Sequence, residues 1–162
     1  MLFGCSPYKN ENVKTALSLR QESLDSIGKW LYDENNYLDN HYHQEFFKYY
    51  TPQITQNNID SAAHLLDIAL DRATISYRYD SILVKEAQTF MAQYENKIST
   101  KRFLRIHSSL GYSYHYNTDY DRSLMHFQKG LKKAENPEKN VWVGEAYRGI
   151  ANVYINTSKL DS

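Results

Sequence analysis

His41, His43 and Glu45 are the chain's nearest approach to a metal-ligand set. Two imidazoles and a carboxylate can hold zinc, and His41 and Glu45 fall one turn apart if the segment is helical. His41 and His43, two positions apart, point to different faces of such a helix, and no third strong ligand is near. The three residues read as a polar helix start, and no metal is expected. His64, His107, His115 and His126 stand singly in helical stretches and read as half-buried packing residues. Catalysis finds no footing: there is no glycine-rich phosphate loop, no nucleophile elbow and no zinc-protease helix. Asp119 and Asp121 sit in a turn, where aspartate bonds to its own backbone. Lys129, Lys132 and Lys133 close a helix, where positive charge complements the carbonyl end of the dipole. The residues point to a non-enzymatic protein that needs no cofactor.

The totals narrow the class further. The chain has 162 residues, enough for one domain with a core. Nineteen basic residues balance nineteen acidic ones, so the chain lacks the positive surface with which a nucleic-acid binder displaces counterions. Only three prolines and six glycines punctuate it, few for an all-β chain with many tight turns. The single cysteine, Cys5, excludes an internal disulfide and a cysteine zinc cage. No apolar run reaches the roughly 18 residues of a membrane helix. Fifteen tyrosines suit thin helical layers, in which a ring packs between helices while its hydroxyl stays wet.

Apolar spacing then places the elements. Val13, Leu17, Leu24, Ile27 and Leu31 fall at helical turns, and Asp33 to Asn36 break the run. Tyr37 to Tyr50 is aromatic-rich, and Pro52 is expected to disturb the helix beyond it. After the turn Gln56-Asn57-Asn58, one helix carries Ile59, Ala62, Leu66, Ala69 and Ala73. The next carries Tyr79, Leu83, Ala87, Phe90 and Tyr94, closed by Glu95-Asn96-Lys97. Phe103, His107, Leu110 and Tyr114 mark another. Beyond the polar turn His115 to Asp119, Tyr120, Leu124, Phe127, Leu131 and Ala134 mark its partner, which Pro137 ends. Val143, Tyr147, Ile150 and Tyr154 close the series. About seven or eight antiparallel helices with short polar joints are expected.

Part of this pattern repeats. Leu110, Gly111, Tyr114, Tyr120 and Asp121 recur as Ile150, Ala151, Tyr154, Leu160 and Asp161. Gln56 to Ala62 aligns with Asn117 to Ser123. Recurrence of a helix–turn–helix unit is the mark of a solenoid. Leu110, Gly111 and Tyr114 on one helix, followed by Tyr120, Ser123, Phe127 and Gly130 on the next and a closing Pro137, resemble the tetratricopeptide repeat family. His107 stands for the usual large aromatic, and serine and glycine stand for alanine.

The resemblance implies an all-α, right-handed α-α superhelix that binds a protein or peptide segment in the groove lined by first helices. Carried onto matching positions, that groove takes Arg105, Ser108, Tyr112, His115 and Tyr116 from one unit, and Glu145, Arg148, Asn152 and Asn156 from the next. Arginines there would clamp a carboxylate, and tyrosines would stack on apolar anchors. The implied organisation is a terminal segment 1–12, a helical cap or degenerate repeat 13–55, and repeats over 56–162. The last repeat lacks its second helix, which leaves apolar surface for self-association. Whether the 13–50 segment folds over the groove stays open.

Leu2-Phe3-Gly4-Cys5 resembles the lipobox of bacterial lipoproteins, without the basic and apolar leader that normally precedes it. Taken so, Cys5 carries a lipid and the chain faces the bacterial cell envelope on its periplasmic side. It would then act as the sensory part of a regulator or as a freestanding scaffold. Taken as incidental, Cys5 leaves a cytoplasmic adaptor.

Overall fold

A computed structural model of the chain describes residues 24–39, 41–134 and 141–160. Cys5, Val13, Leu17, Pro137 and the final Asp161-Ser162 lie outside them. Among the described residues there are eight helices and no strand. They are α1 over 24–32, α2 Glu34–Tyr37, α3 Tyr42–Thr55, α4 Ile59–Ile75, α5 Ser81–Tyr94, α6 Thr100–Tyr116, α7 Tyr120–Lys132 and α8 Val141–Leu160. None is long and apolar enough to cross a membrane.

Short side chains start the helices where the sequence places its polar joints. Asp80 caps α5 by accepting from the Ile82 and Leu83 amides, Ser99 caps α6 through Arg102, and Asp119 caps α7 through Arg122. Each satisfies amides that a helix's first turn leaves unbonded. Asn57 and Thr118 take the left-handed conformation, at φ 57° and 59°. In both turns the left-handed residue's amide reaches back three residues and the next amide five. The alignment of Gln56–Ala62 with Asn117–Ser123 is thus a likeness of backbone as well as of letters.

One apolar core runs from Leu24 to Tyr114, so the segment read as a cap shares its interior with the helices of the repeat region. Trp30 and Tyr42 stack at 5.8 Å, and the Tyr42 hydroxyl donates to the Leu31 carbonyl at 2.9 Å. Pro52 does not break α3, which continues through it to Thr55. The proline costs α3 one amide bond but sits in the last turn, so little helix lies beyond it to be disturbed, and the Thr55 hydroxyl donates to its carbonyl at 3.1 Å.

Beyond this core, α4 packs on α6 and α6 on α8, with α5 against both α4 and α6 and α7 against both α6 and α8. Phe127 on α7 fills the space between α6 and α8. Its ring lies so close to Gly111 and Gly149 that a Cβ on either would overlap it. Ala151, the sequence counterpart of Gly111, is instead exposed. Gly149→Ala is expected to destabilise by about 1–3 kcal/mol despite the better helix propensity of alanine. Adding Phe127→Leu should recover part of that loss in a urea-denaturation cycle.

The buried stripe of α8 also differs from the expected one. Val143, Ala146 and Val153 are buried, whereas Tyr147 and Tyr154 are exposed by 59% and 57%. Their counterparts on α6, His107 and Tyr114, are buried because α7 covers them through His126. The same face of α8 has no such cover among the described residues. It is the face that the expected self-association would use.

Candidate peptide-binding cleft

Three helices that are not consecutive in the chain meet at one cleft. The end of α4 and the turn after it supply Asp71, Thr74, Ile75 and Tyr77; α6 supplies Ser108, Ser109, Tyr112 and Tyr116; α8 supplies Trp142, Glu145 and Arg148. The cleft holds about 210 Å³, a volume equal to roughly seven waters of liquid. No residue before Asp71 lines it, so no described part of the N-terminal segment fills it.

A buried ion cluster touches one of its walls through Trp142. Asp67, one turn before Asp71 on α4, is fully buried. Arg102 donates to it at 2.7 Å and Arg105 through Nε at 2.8 Å, both from α6. The Arg105 guanidinium then lies 4.2 Å from the centre of the Trp142 ring, a cation–π contact that fixes the indole of α8 against α6. Charge on α4 thereby positions an aromatic wall supplied by α8.

The rim is held the same way. The Tyr112 hydroxyl donates to the Glu145 carbonyl at 3.0 Å and accepts from Arg148 Nε at 3.3 Å. Arg148 also pairs with the Glu145 carboxylate. Tyr116 stacks beside Tyr112 and meets Tyr77 edge-on at 5.5 Å. Burial raises the Tyr112 and Tyr116 phenols above the ordinary tyrosine value, so both hydroxyls stay protonated.

Of the residues expected in the groove, Ser108, Tyr112, Tyr116, Glu145 and Arg148 line the cleft, and Arg105 braces it from below. His115 and Asn156 meet each other at 3.1 Å, and His115 turns its ring toward Tyr120 on α7. Asn152 is half-buried on α8 and does not line the cleft. The arginines are not open clamps, because Arg105 is engaged by Asp67 and Arg148 by Glu145 and Tyr112. Asp71, Thr74, Ile75, Tyr77, Ser109 and Trp142 were not expected. The α4 residues escape sequence reading because the turn before α4 matches the one before α7, which marks α4 as a second helix. Packing across α6 then gives its C-terminal end to the face that first helices line.

The histidines outside the cleft each have their own setting. His41 lies 2.9 Å from Asp39, His43 lies 2.8 Å from the Asp80 carboxylate, and Glu45 accepts from Lys48 at 3.0 Å. The three do not converge, and no group of three or more metal-ligating side chains occurs among the described residues. His107 and His126 are deeply buried and face each other, Nδ1 to Nδ1, at 2.9 Å between α6 and α7. Lys129 and Lys133 tie α7 to the end of α5 through the Glu95 carboxylate and carbonyl, each at 2.8 Å.

In comparison with known proteins, the chain matches no family model, no curated protein and no solved structure.

Proposed function

We propose that this chain is a non-catalytic peptide-binding module, built on the tetratricopeptide plan, whose ligand lies across the α4, α6 and α8 face. The observation that carries this reading is the cleft itself: four aromatic rings, Tyr77, Tyr112, Tyr116 and Trp142, gather with a few polar groups around one concavity. Rigid aromatic side chains give large contact area at small entropic cost and dominate peptide and protein hot spots. The volume is below the ~300–1,000 Å³ of sites for drug-sized ligands, which suits one anchoring side chain of a longer segment. The turn likeness and the α6/α7/α8 packing support the repeat plan. On this reading a lipid on Cys5 would tether the module to a bacterial envelope, and without one it would serve as an adaptor.

The test is selection of a random twelve-residue peptide library on the immobilised chain. Enriched peptides are expected to bind the Tyr77→Ser and Tyr116→Ala variants about tenfold more weakly, the fold-change for losing ~1.4 kcal/mol at an aromatic contact. Enrichment equal on wild type and on the double variant would remove the cleft from the account.

A further inference from the structure

Resting on that reading, we infer that the cleft selects a basic side chain, a lysine or arginine of the bound peptide, through Asp71 and the surrounding rings. The donors and acceptors that line the cavity decide the sign of the ligand. Every arginine at the cleft is already engaged. Arg105 serves Asp67 and stacks on Trp142, and Arg148 serves Glu145 and Tyr112. A ligand carboxylate arriving here would have to displace one of these partners, one of them a fully buried charge.

One acceptor, Asp71, is left with only a long contact. Asp71 makes no hydrogen bond through its carboxylate among the described residues, and its nearest cation, Arg105, stands 3.9 Å away. Its side chain is 23% exposed, open to a ligand but shielded from bulk water. Burial holds its carboxyl above the usual carboxylate range, which is the mark of an acid that a cation would relieve. Glu145, paired with Arg148, adds a second carboxylate to the lining. The Ser108 hydroxyl, on a residue 3% exposed, has no hydrogen-bond partner among the described residues, and Ser108 lines the same space.

The rings complete the site. Tyr77, Tyr112, Tyr116 and Trp142 present π systems around the same cavity, and a cation held against aromatic faces near a carboxylate gains from both. A long aliphatic stem would lie along Ile75 and the rings with its charged head at Asp71, as such chains do on apolar surface. The small volume admits one such chain.

Three ten-residue peptide pools, alike except for a fixed central lysine, norleucine or glutamate, test this by titration calorimetry on the full chain. The lysine pool is expected to bind about tenfold more tightly than norleucine and more tightly still than glutamate. Asp71→Asn should bring the lysine and norleucine pools to within about twofold of each other. Thermal unfolding of that variant, at or above the wild-type temperature, shows that the fold is kept. Binding of all three pools with no preference for lysine, or a preference that survives Asp71→Asn, overturns the inference and leaves peptide binding standing. Binding of none overturns both.

Discussion

Replacing Asp67 by alanine is expected to lower the unfolding free energy by about 3–5 kcal/mol, the usual result of removing one partner from a buried ion pair. That is a large share of the roughly 5–15 kcal/mol by which a domain is stable at all. Asp67 is fully buried, while Arg102 and Arg105 are about one-fifth exposed and direct their donors at it. Without the carboxylate, two guanidinium groups face the α4–α6 contact with only Asp71, 3.9 Å from Arg105, as a distant counter-charge. Their burial cost remains and the attraction that offset it is gone. Urea denaturation at neutral pH measures the difference. Replacing all three charges together, as Asp67→Leu, Arg102→Leu and Arg105→Met, should be far milder than Asp67→Ala alone, since apolar packing substitutes well for a buried ion cluster. A loss below about 1 kcal/mol for Asp67→Ala, the size of an exposed pair, would mean that the cluster does not hold α4 to α6. The triple variant should also bind peptide poorly, because Arg105 no longer braces Trp142.

Acid should unfold the protein through His107 and His126. Burial and the cations around them push the two imidazoles down, to about 3 for His107, which His126 also lowers, and about 4 for His126, against an ordinary 6.5. Lys129 and Lys133 face His107, and Lys129 and Arg122 face His126. Both rings are neutral in the native state, and the Nε2 of each is buried without a partner among the described residues. Below pH 6.5 the unfolded chain takes up protons that the native chain refuses, so stability is lost as pH falls. Each histidine contributes a slope of about 1.4 kcal/mol per pH unit. Together they cost roughly 3–4 kcal/mol between pH 6.5 and 5. The slope of His126 ends near pH 4 and that of His107 near 3. Urea midpoints should therefore fall steeply over that window in the wild type, and much less in the His107→Phe, His126→Leu double variant. A wild-type midpoint that stays flat from pH 7 to 5 would show that the imidazoles are not held neutral.

These two clusters mark where reading the sequence stops. Most helix positions, the turns around Asn57 and Thr118, and the α6–α7 hairpin follow from local spacing, and five groove residues follow from the repeat pattern alone. What the spacing hides is pairing across the chain. Arg105 looks like a free groove cation until Asp67, 38 residues earlier, is brought beneath it. His107 and His126, 19 residues apart, each read as a lone packing residue, and only the α6–α7 contact makes them a pair. Tyr147 and Tyr154 carry the right periodicity for a core stripe, yet α8 turns Val143, Ala146 and Val153 inward, because the close approach to Phe127 falls at Gly149 and not at Ala151. Periodicity specifies that a helix has an apolar face. Which neighbour covers it is a long-range fact.

The cleft between α4, α6 and α8 is the centre of this account, and the indole of Trp142 is its natural reporter, since the chain has one other tryptophan, Trp30, in the N-terminal core. The most direct measurement follows the two indole N–H signals by NMR while the lysine-centred peptide pool is titrated into isotope-labelled protein. Saturable movement of the Trp142 signal with Trp30 unmoved, and loss of that movement in Tyr77→Ser, is the expected result. Peptide binding that shifts Trp30 or leaves Trp142 in place would put the ligand elsewhere and contradict the assignment of this cleft.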